Sequence, residues 1–295
     1  MEEAHRRQFA LEELSALFAA LETTASPCVL MGGQAANYWA RHYAGTEAAL
    51  REMAEVFPFV SKDADFQGSQ AASIALAKAL HTQAKVPDFR HAFGNLMAGQ
   101  FAMLIGSDRM NVEVLRKVPG LKESELLRLT VVRQAGGYTI NVLNPLGVLF
   151  AKTWNVVNIE KEGRHDAEQL LAMVPCVRAY IREFLGEATV RAGLNLIKVA
   201  MAFAELPDAA RAAARCGIDW AQILPHRHIA ASTRPELVRL RERRMPQWLK
   251  TISAQPRGVS KGTTVVRLLE VLARHAEPLC ARPAPRSALR APRSK

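Results

Sequence analysis

Cysteine is scarce in this 295-residue chain, and the four present, Cys28, Cys176, Cys216 and Cys280, form no Cys-x-x-Cys pair. Scattered thiols of this kind exclude a disulfide framework and the common thiolate zinc sites, and they read as buried or incidental. Long apolar runs are missing too. Stretches such as 29–31 and 101–105 fall far short of the run of about 20 residues that crosses a bilayer, so no membrane span is expected. The N-terminus, MEEAHRRQFALEELSALFAALE, starts acidic and carries charge through an amphipathic pattern. It lacks the basic start and apolar centre of a signal peptide, which leads to an expected cytoplasmic location. No internal repeat is present. Acidic residues are also short in supply, 28 against 39 Lys and Arg, which leaves a net charge of +11. A field of that sign concentrates polyanions, so nucleic acid or nucleotide is the expected partner class.

A hydrophobic content of 49% with 23% charged residues is that of a folded protein. Apolar residues recur at helical spacing from Phe9 to Leu21, and Thr23, Thr24, Ser26 and Pro27 stop that helix. Residues 28–31 read as a short buried strand, Gly32-Gly33 as a turn, Gln34 to Arg41 as a helix and Thr46 to Val56 as another. Phe57 to Phe66 reads as extended and Gln70 to Leu80 as helix. Short strands follow around 101–105, 110–115, 129–132 and 138–142, separated by Gly106-Ser107-Asp108 and Gly136-Gly137. Beyond Pro145 the periodicity is almost continuously helical, through 146–157, 167–185, 194–206, 209–216, 235–252 and 264–275. The expectation is an α+β fold, with a mixed-sheet domain over 1–144 and a helical domain over 145–277. Residues 278–295 hold prolines and arginines but almost no large apolar side chain, and read as a disordered basic tail.

Chemistry concentrates in SerLysAspAlaAspPhe (61–66). On a strand, Asp63 and Asp65 project from one face about 7 Å apart, a spacing that lets both reach one pair of hard cations. Gly32-Gly33 lies between a strand and a helix, where backbone can approach closely and free N–H groups can hold phosphate oxygens. An ordinary tight turn explains the same pair. In 110–115 Glu113 alternates with Met110, Val112 and Val114, so it faces away from them; it would add a third carboxylate or stand as a solvated strand residue. Lys152, in an apolar helical segment, reads unaided as a snorkelling surface lysine.

The order of these segments resembles the nucleotidyltransferase superfamily, and within it the AbiEii-like proteins of bacterial toxin–antitoxin and phage-defence systems. The matching stretches are ValLeuMetGlyGlyGlnAlaAlaAsnTyrTrp (29–39), SerLysAspAlaAspPhe (61–66), AsnValGluValLeu (111–115), AsnProLeuGlyValLeuPheAlaLys (144–152) and GlyArgHisAspAlaGluGlnLeu (163–170), together spanning about residues 28 to 185. The resemblance implies NTP as substrate and two Mg²⁺ ions held by Asp63, Asp65 and Glu113. It places Gly32, Gly33, Lys62, Lys152 and Asp166 around the nucleotide, although His165-Asp166 reads equally as a cap or an ion pair on a helix surface. RNA, in particular the end of a tRNA, is the implied acceptor, and a cognate antitoxin protein the implied partner in a toxin or defence-like role. The chain departs from the superfamily pattern in three places: Gln34 follows Gly33 instead of Ser, a long helical insertion precedes Asp63, and the third acid is Glu rather than Asp. These departures keep open a catalytically degenerate binding module of the same fold.

Two basic segments stand apart. HisArgHis (226–228) reads as a basic loop, since no carboxylate or Cys lies at metal-site spacing. ArgLeuArgGluArgArg (239–244) concentrates arginines on a helix with Trp248 nearby, which suits either a grip on an RNA backbone or a solvated helical face.

Overall fold

A computed structural model describes residues 7–24, 27–88, 96–159, 164–186, 189–255 and 262–279. The expected basic tail lies outside the described residues from 280 onward, as does Cys280.

The chain enters through a 3-10 turn at Leu11–Leu14 and α1 (Ser15–Thr23), then β1 (Val29–Met31), α2 (Gly32–Ala44) and α3 (Ala48–Val56). Next come β2 (Asp63–Gln67), α4 (Gln70–Ala79), β3 (Met97–Ile105), β4 (Asp108–Leu115), α5 (Glu123–Leu129), β5 (Thr130–Ala135) and β6 (Tyr138–Leu143). The helical half comprises α6 (Pro145–Asn158), α7 (Asp166–Glu183), α8 (Val190–Ala204), α9 (Pro207–Cys216), α10 (His226–Ala231), α11 (Pro235–Arg239), α12 (Met245–Ser253) and α13 (Thr263–Arg274). The fold is α+β, as the periodicities predict. A helix at 123–129, between Lys122 and Thr130, has too few turns to give a periodic signal and escapes the sequence reading.

The six strands form one mixed sheet in the order β3-β4-β2-β1-β6-β5. β1 is antiparallel to β2 and parallel to β6, and β2 is parallel to β4. Alternation sets the faces: Ala64, Phe66, Met110, Val112 and Val114 are buried on one side. Asp63, Asp65 and Glu113 fall on the other, by the same period of two that the sequence displays. The β5–β6 hairpin pairs Ala135 with Tyr138 around Gly136 and Gly137, both at positive φ (58° and 90°), the geometry a two-residue turn needs to match strand twist.

Two helix starts behave as their sequences dictate. Asn144 Oδ1 accepts from the Gly147 N–H at 3.0 Å with Pro145 in the first turn, and Ser69 Oγ accepts from the Ala72 N–H at 3.0 Å. Helix α7 is apolar around nearly its whole girth from Leu170 to Ile181 and is buried accordingly, packed against α2, α6 and α13. One hydrophobic cluster runs through both halves, from Phe9 and Trp39 to Trp220 and Val271. Cys28, Cys176 and Cys216 lie buried and unbridged within it; burial pushes the Cys28 and Cys216 thiols up to about 11, which makes them poor nucleophiles. No helix among the described residues is long and apolar enough to cross a membrane.

The basic segment His226-Arg227-His228 is helix α10 rather than a loop. His226 is buried, with Nε2 2.8 Å from the Ala221 carbonyl, so its imidazole serves the core. Burial, the larger effect, lowers its pKa despite that hydrogen bond.

The helical half is tied to α3 through a buried charge cluster. Glu47, just before α3, meets Arg178 and Arg182 of α7 at 2.8 Å each, and Arg178 and Glu47 are almost fully buried. Glu277 stands 3.8 Å from Arg178 and accepts from the Arg227 N–H at 2.8 Å. Removing one partner of such a group strands a buried charge. Glu47→Gln is therefore expected to cost about 3 kcal/mol, read as a lowered midpoint in urea unfolding; a change within about 0.5 kcal/mol would show that Glu277 alone satisfies Arg178.

Candidate active site

The sheet brings the predicted carboxylates together through register. Asp63 pairs with Asn111 and Asp65 with Glu113 across the parallel β2–β4 ladder, and Met31 lies opposite Asp65 on β1. Asp65 thus stands beside the end of β1, where the chain turns into α2. Gly32 makes that turn at φ +64°, and a Cβ there would overlap the Asp65 carboxylate, lying 2.8 Å from its Cγ. The two glycines belong to the first turn of α2 and not to a loop before it, which corrects the sequence reading. Only a residue with no side chain allows both the left-handed backbone and the contact with Asp65.

Gly33 is hemmed in differently: a Cβ there would meet Ser61 Oγ at 2.5 Å and Gln169 Nε2 at 3.0 Å. Ser61 is held by a two-way backbone bridge to Phe9, at 2.8 and 3.1 Å. Gln169, buried, comes from the first turns of α7. The N-termini of α2 and α7 therefore meet over the carboxylate face of the sheet.

Opposite Asp65, α6 and α7 supply a second cluster. Lys152 is buried, 4% exposed, and its Nζ lies 2.8 Å from Asp166 Oδ1, so it is no snorkelling surface lysine. Asp166 also accepts from Asn155 Nδ2 at 3.2 Å and from Arg164 Nε. Burial alone would raise the Asp166 carboxyl, yet the Lys152 ammonium and the two cationic hydrogen bonds hold it well below the usual carboxylate range. Asp65 shows the reverse balance. Burial is the largest influence and Lys152 opposes it, while Glu113 and Asp63 add repulsion; the net effect pushes Asp65 up to about 6. Arg164 is raised because Asp166, Asp65 and Glu113 outweigh its own desolvation.

The structure thus gathers Gly32, Gly33, Asp63, Asp65, Glu113, Lys152 and Asp166 about one end of β1. Lys62 is half-buried just before β2, and no hydrogen bond or ion pair links it to the others. Ser61, Asn155, Arg164 and Gln169 join the group without having been singled out. Asn155 follows Lys152 by three residues, the one-face helical spacing that could have flagged it.

Among the described residues, no three His, Cys, Asp or Glu side chains converge closely enough to ligate one metal ion as they stand. The donors nevertheless suit a hard divalent cation in kind, being carboxylate oxygens at opposed register positions. Their mutual repulsion, registered in Asp65, is of the sort that a cation relieves.

Gly32→Ala should test the tight approach directly. The left-handed conformation alone costs about 1 to 2 kcal/mol for a residue with a Cβ, and the overlap must also displace Asp65. A clear drop in melting temperature is expected, beside no change for Gly45→Ala, where a Cβ meets nothing within 4 Å. Equal behaviour of the two variants would show that the α2 start relaxes freely.

No family model matches the chain, and no curated protein sequence matches it. The crystal structure of an antigenic nucleotidyltransferase-like protein from Paracoccidioides brasiliensis aligns with 57% of this chain and 78% of its own, at 14% identity and a TM-score of 0.37. At that level the likeness carries no argument about function.

Proposed function

We propose that this chain is a nucleotidyltransferase that moves a nucleoside monophosphate from an NTP to an acceptor hydroxyl and releases pyrophosphate. The observation that carries the reading is one juxtaposition: Asp65, in register with Glu113, lies against the bare backbone of Gly32, with Lys152 of α6 and Arg164, just before α7, acting on it. Carboxylates on one wall suit divalent cations, and the cationic groups on the other suit the phosphates of an NTP and the departing pyrophosphate.

In this reading the first N–H groups of α2, at Gly32 and Gly33, hold phosphate oxygens. Asp63, Asp65 and Glu113 would hold Mg²⁺, which when bound neutralises charge on the phosphates. Glu113 helps to take the proton of the attacking hydroxyl as its oxygen bonds to the α-phosphorus and the bond to pyrophosphate breaks. Lys152, oriented by Asp166, neutralises charge on the leaving group, and Arg164 keeps its Nη groups for phosphate because Nε is committed to Asp166. The ordered motif set supports an AbiEii-like assignment, with RNA or a tRNA end as acceptor, a toxin or defence-like role and a cognate antitoxin.

A second reading, a binding module of the same fold without turnover, draws on the failure of the carboxylates to converge as they stand. Incubation with each α-³²P-labelled NTP, Mg²⁺ and total bacterial RNA, beside an Asp63→Ala/Asp65→Ala control, separates the two. Label in RNA only with intact carboxylates is the expected result, and label in the protein itself would redirect the acceptor. NTP binding without any label would favour the binding module, and neither binding nor label would overturn the proposal.

A further inference from the structure

Strand β3 forms one edge of the sheet. Natural edges are blunted by charge, proline or a bulge. Residues 101–105 read PheAlaMetLeuIle, without charge or proline, and the register shift in the β3–β4 ladder lies at the far end, between Met97 and Gly99. Leu104 is 69% exposed.

Register fixes where the backbone of this edge points. Ile105 and Asp108 flank a two-residue turn at Gly106-Ser107, so they form a hydrogen-bonded pair, as do Met103 with Met110 and Phe101 with Val112. Gln100, Ala102 and Leu104 alternate with these and turn N–H and C=O outward. Gln100 shows that direction: its N–H and carbonyl bond to Lys85 at 2.9 and 2.7 Å. The cover stops there. Upstream of Lys85 the chain closes onto the end of α4, with the Thr82 N–H reaching back to the Ala77 carbonyl at 2.9 Å and His81 at φ +53°. Ala102 and Leu104 therefore have no outward backbone partner among the described residues.

Beside them lies a groove of about 930 Å³ between β3, the end of α4 and α1. Met103, Leu80, Ala16 and Ala20 make its lining apolar; His81 and Arg109 are its ionisable side chains, and no acid lines it. Arg109 is exposed and has no ion pair with a described residue, since Asp108 next to it is held by Arg7 at 2.7 Å. Two more exposed cations flank the groove, Lys78 one residue before its lining and Lys85 on Gln100.

We infer that this edge docks an extended, acidic segment of a partner protein, which adds to β3 as a further strand. The segment bonds to the outward N–H and C=O groups of Ala102 and Leu104, its side chain opposite Met103 enters the groove, and its carboxylates meet the surrounding cations. A second copy of this chain fits worse, because it carries a net charge of +11 and would set the same cations against themselves. The groove lies on the face of Met103 and Met110, opposite that of Asp65 and Glu113, so the inference does not depend on the reaction proposed there.

The test is fluorescence anisotropy of the full chain with a labelled peptide of alternating Val and Glu, about eight residues long. Leu104→Pro deletes one outward donor and spares the ladder to β4, and should weaken binding about fivefold. Ala16→Trp, at an exposed position of α1, fills the groove without touching the strand and should weaken it about tenfold, which keeps the test open if Leu104→Pro unfolds. Lys85→Glu/Arg109→Glu should cost about tenfold, and Arg128→Glu/Lys250→Glu, a matched change at exposed positions elsewhere, less than about twofold. N-methylation of every second peptide residue should abolish binding in one frame and spare it in the other, since alternate N–H groups face β3. No binding to the parent, equal effects of the two N-methylated frames, or equal losses in the two charge-reversal variants would each overturn the inference. An alternating Val-Lys peptide bound as tightly would overturn the acidic character, and displacement of the peptide by oligouridine would overturn it in favour of nucleic acid. A dimer in sedimentation that Leu104→Pro dissolves would overturn it in favour of a second copy.

Discussion

Replacing Asp65 by Asn should reduce nucleotide transfer on the order of 10³-fold while making the metal-free protein more stable. The two effects share one cause. Asp65 sits half-buried against Gly32 with Glu113 in register beside it, an arrangement useful for gathering positive charge and costly when none is bound. Its carboxyl is pushed from 3.8 to about 6, so the folded state holds the proton more tightly than the unfolded chain does. The penalty is therefore full above about pH 6, shrinks as pH falls through 6, and vanishes below the unfolded value. Discounted for partial exposure, it is on the order of 1 to 2 kcal/mol. Thermal melts in a chelator near neutral pH should place Asp65→Asn a few degrees above the parent, and the gap should close in mild acid. A variant less stable than the parent at neutral pH would mean that Lys152 and Arg164 already satisfy the ionised carboxylate.

The second large effect belongs to Lys152. Lys152→Met strands Asp166, a carboxylate buried almost as deeply as the lysine, with only Asn155 and the half-exposed Arg164. Breaking a buried pair at 2.8 Å is expected to cost about 3 kcal/mol, and transfer should fall about 10²- to 10³-fold with the loss of the cation that faces the phosphates. Asp166 owes its depressed pKa largely to Lys152, so in the variant it takes up a proton at higher pH than in the parent. The stability deficit is then largest near neutrality and narrows as pH falls. Lys152→Met/Asp166→Leu removes both charges and should recover most of the stability and none of the activity. Recovery of transfer in the double variant would show that the pair is a structural tie and would remove it from the proposed chemistry.

Periodicity alone made most of the fold legible. The alternation of Met110, Val112 and Val114 with Asn111, Glu113 and Leu115 predicts the face on which Glu113 stands, and β4 has that face. Gly136-Gly137 marks its hairpin, and the helical run beyond Pro145 marks α6 to α9. Failures came where local pattern is silent or points two ways. His226-Arg227-His228 looks polar and loop-like, yet its first histidine is a core residue with a carbonyl partner five residues back. Lys152 in an apolar helix has the composition of a snorkelling residue, and only α7 folding against α6 encloses it.

The sequence by itself determined what short-range physics controls. It set the strand faces, the breaks at glycine and proline, and the two aspartates two residues apart on one strand. Tertiary structure decided which distant residues meet. Glu113 stands beside Asp65 because β2 and β4 pair in parallel, in a register set by the buried faces of both strands. Asp65 presses on Gly32 because β1 runs antiparallel to β2 and ends opposite it. Asp166 and Gln169 of α7, and Arg164 just before it, arrive more than 95 residues beyond Asp65, because that helix is apolar around nearly its whole girth from Leu170 to Ile181 and buries itself against α2. Such encounters rest on the global packing of the core, and no local spacing along the chain encodes them.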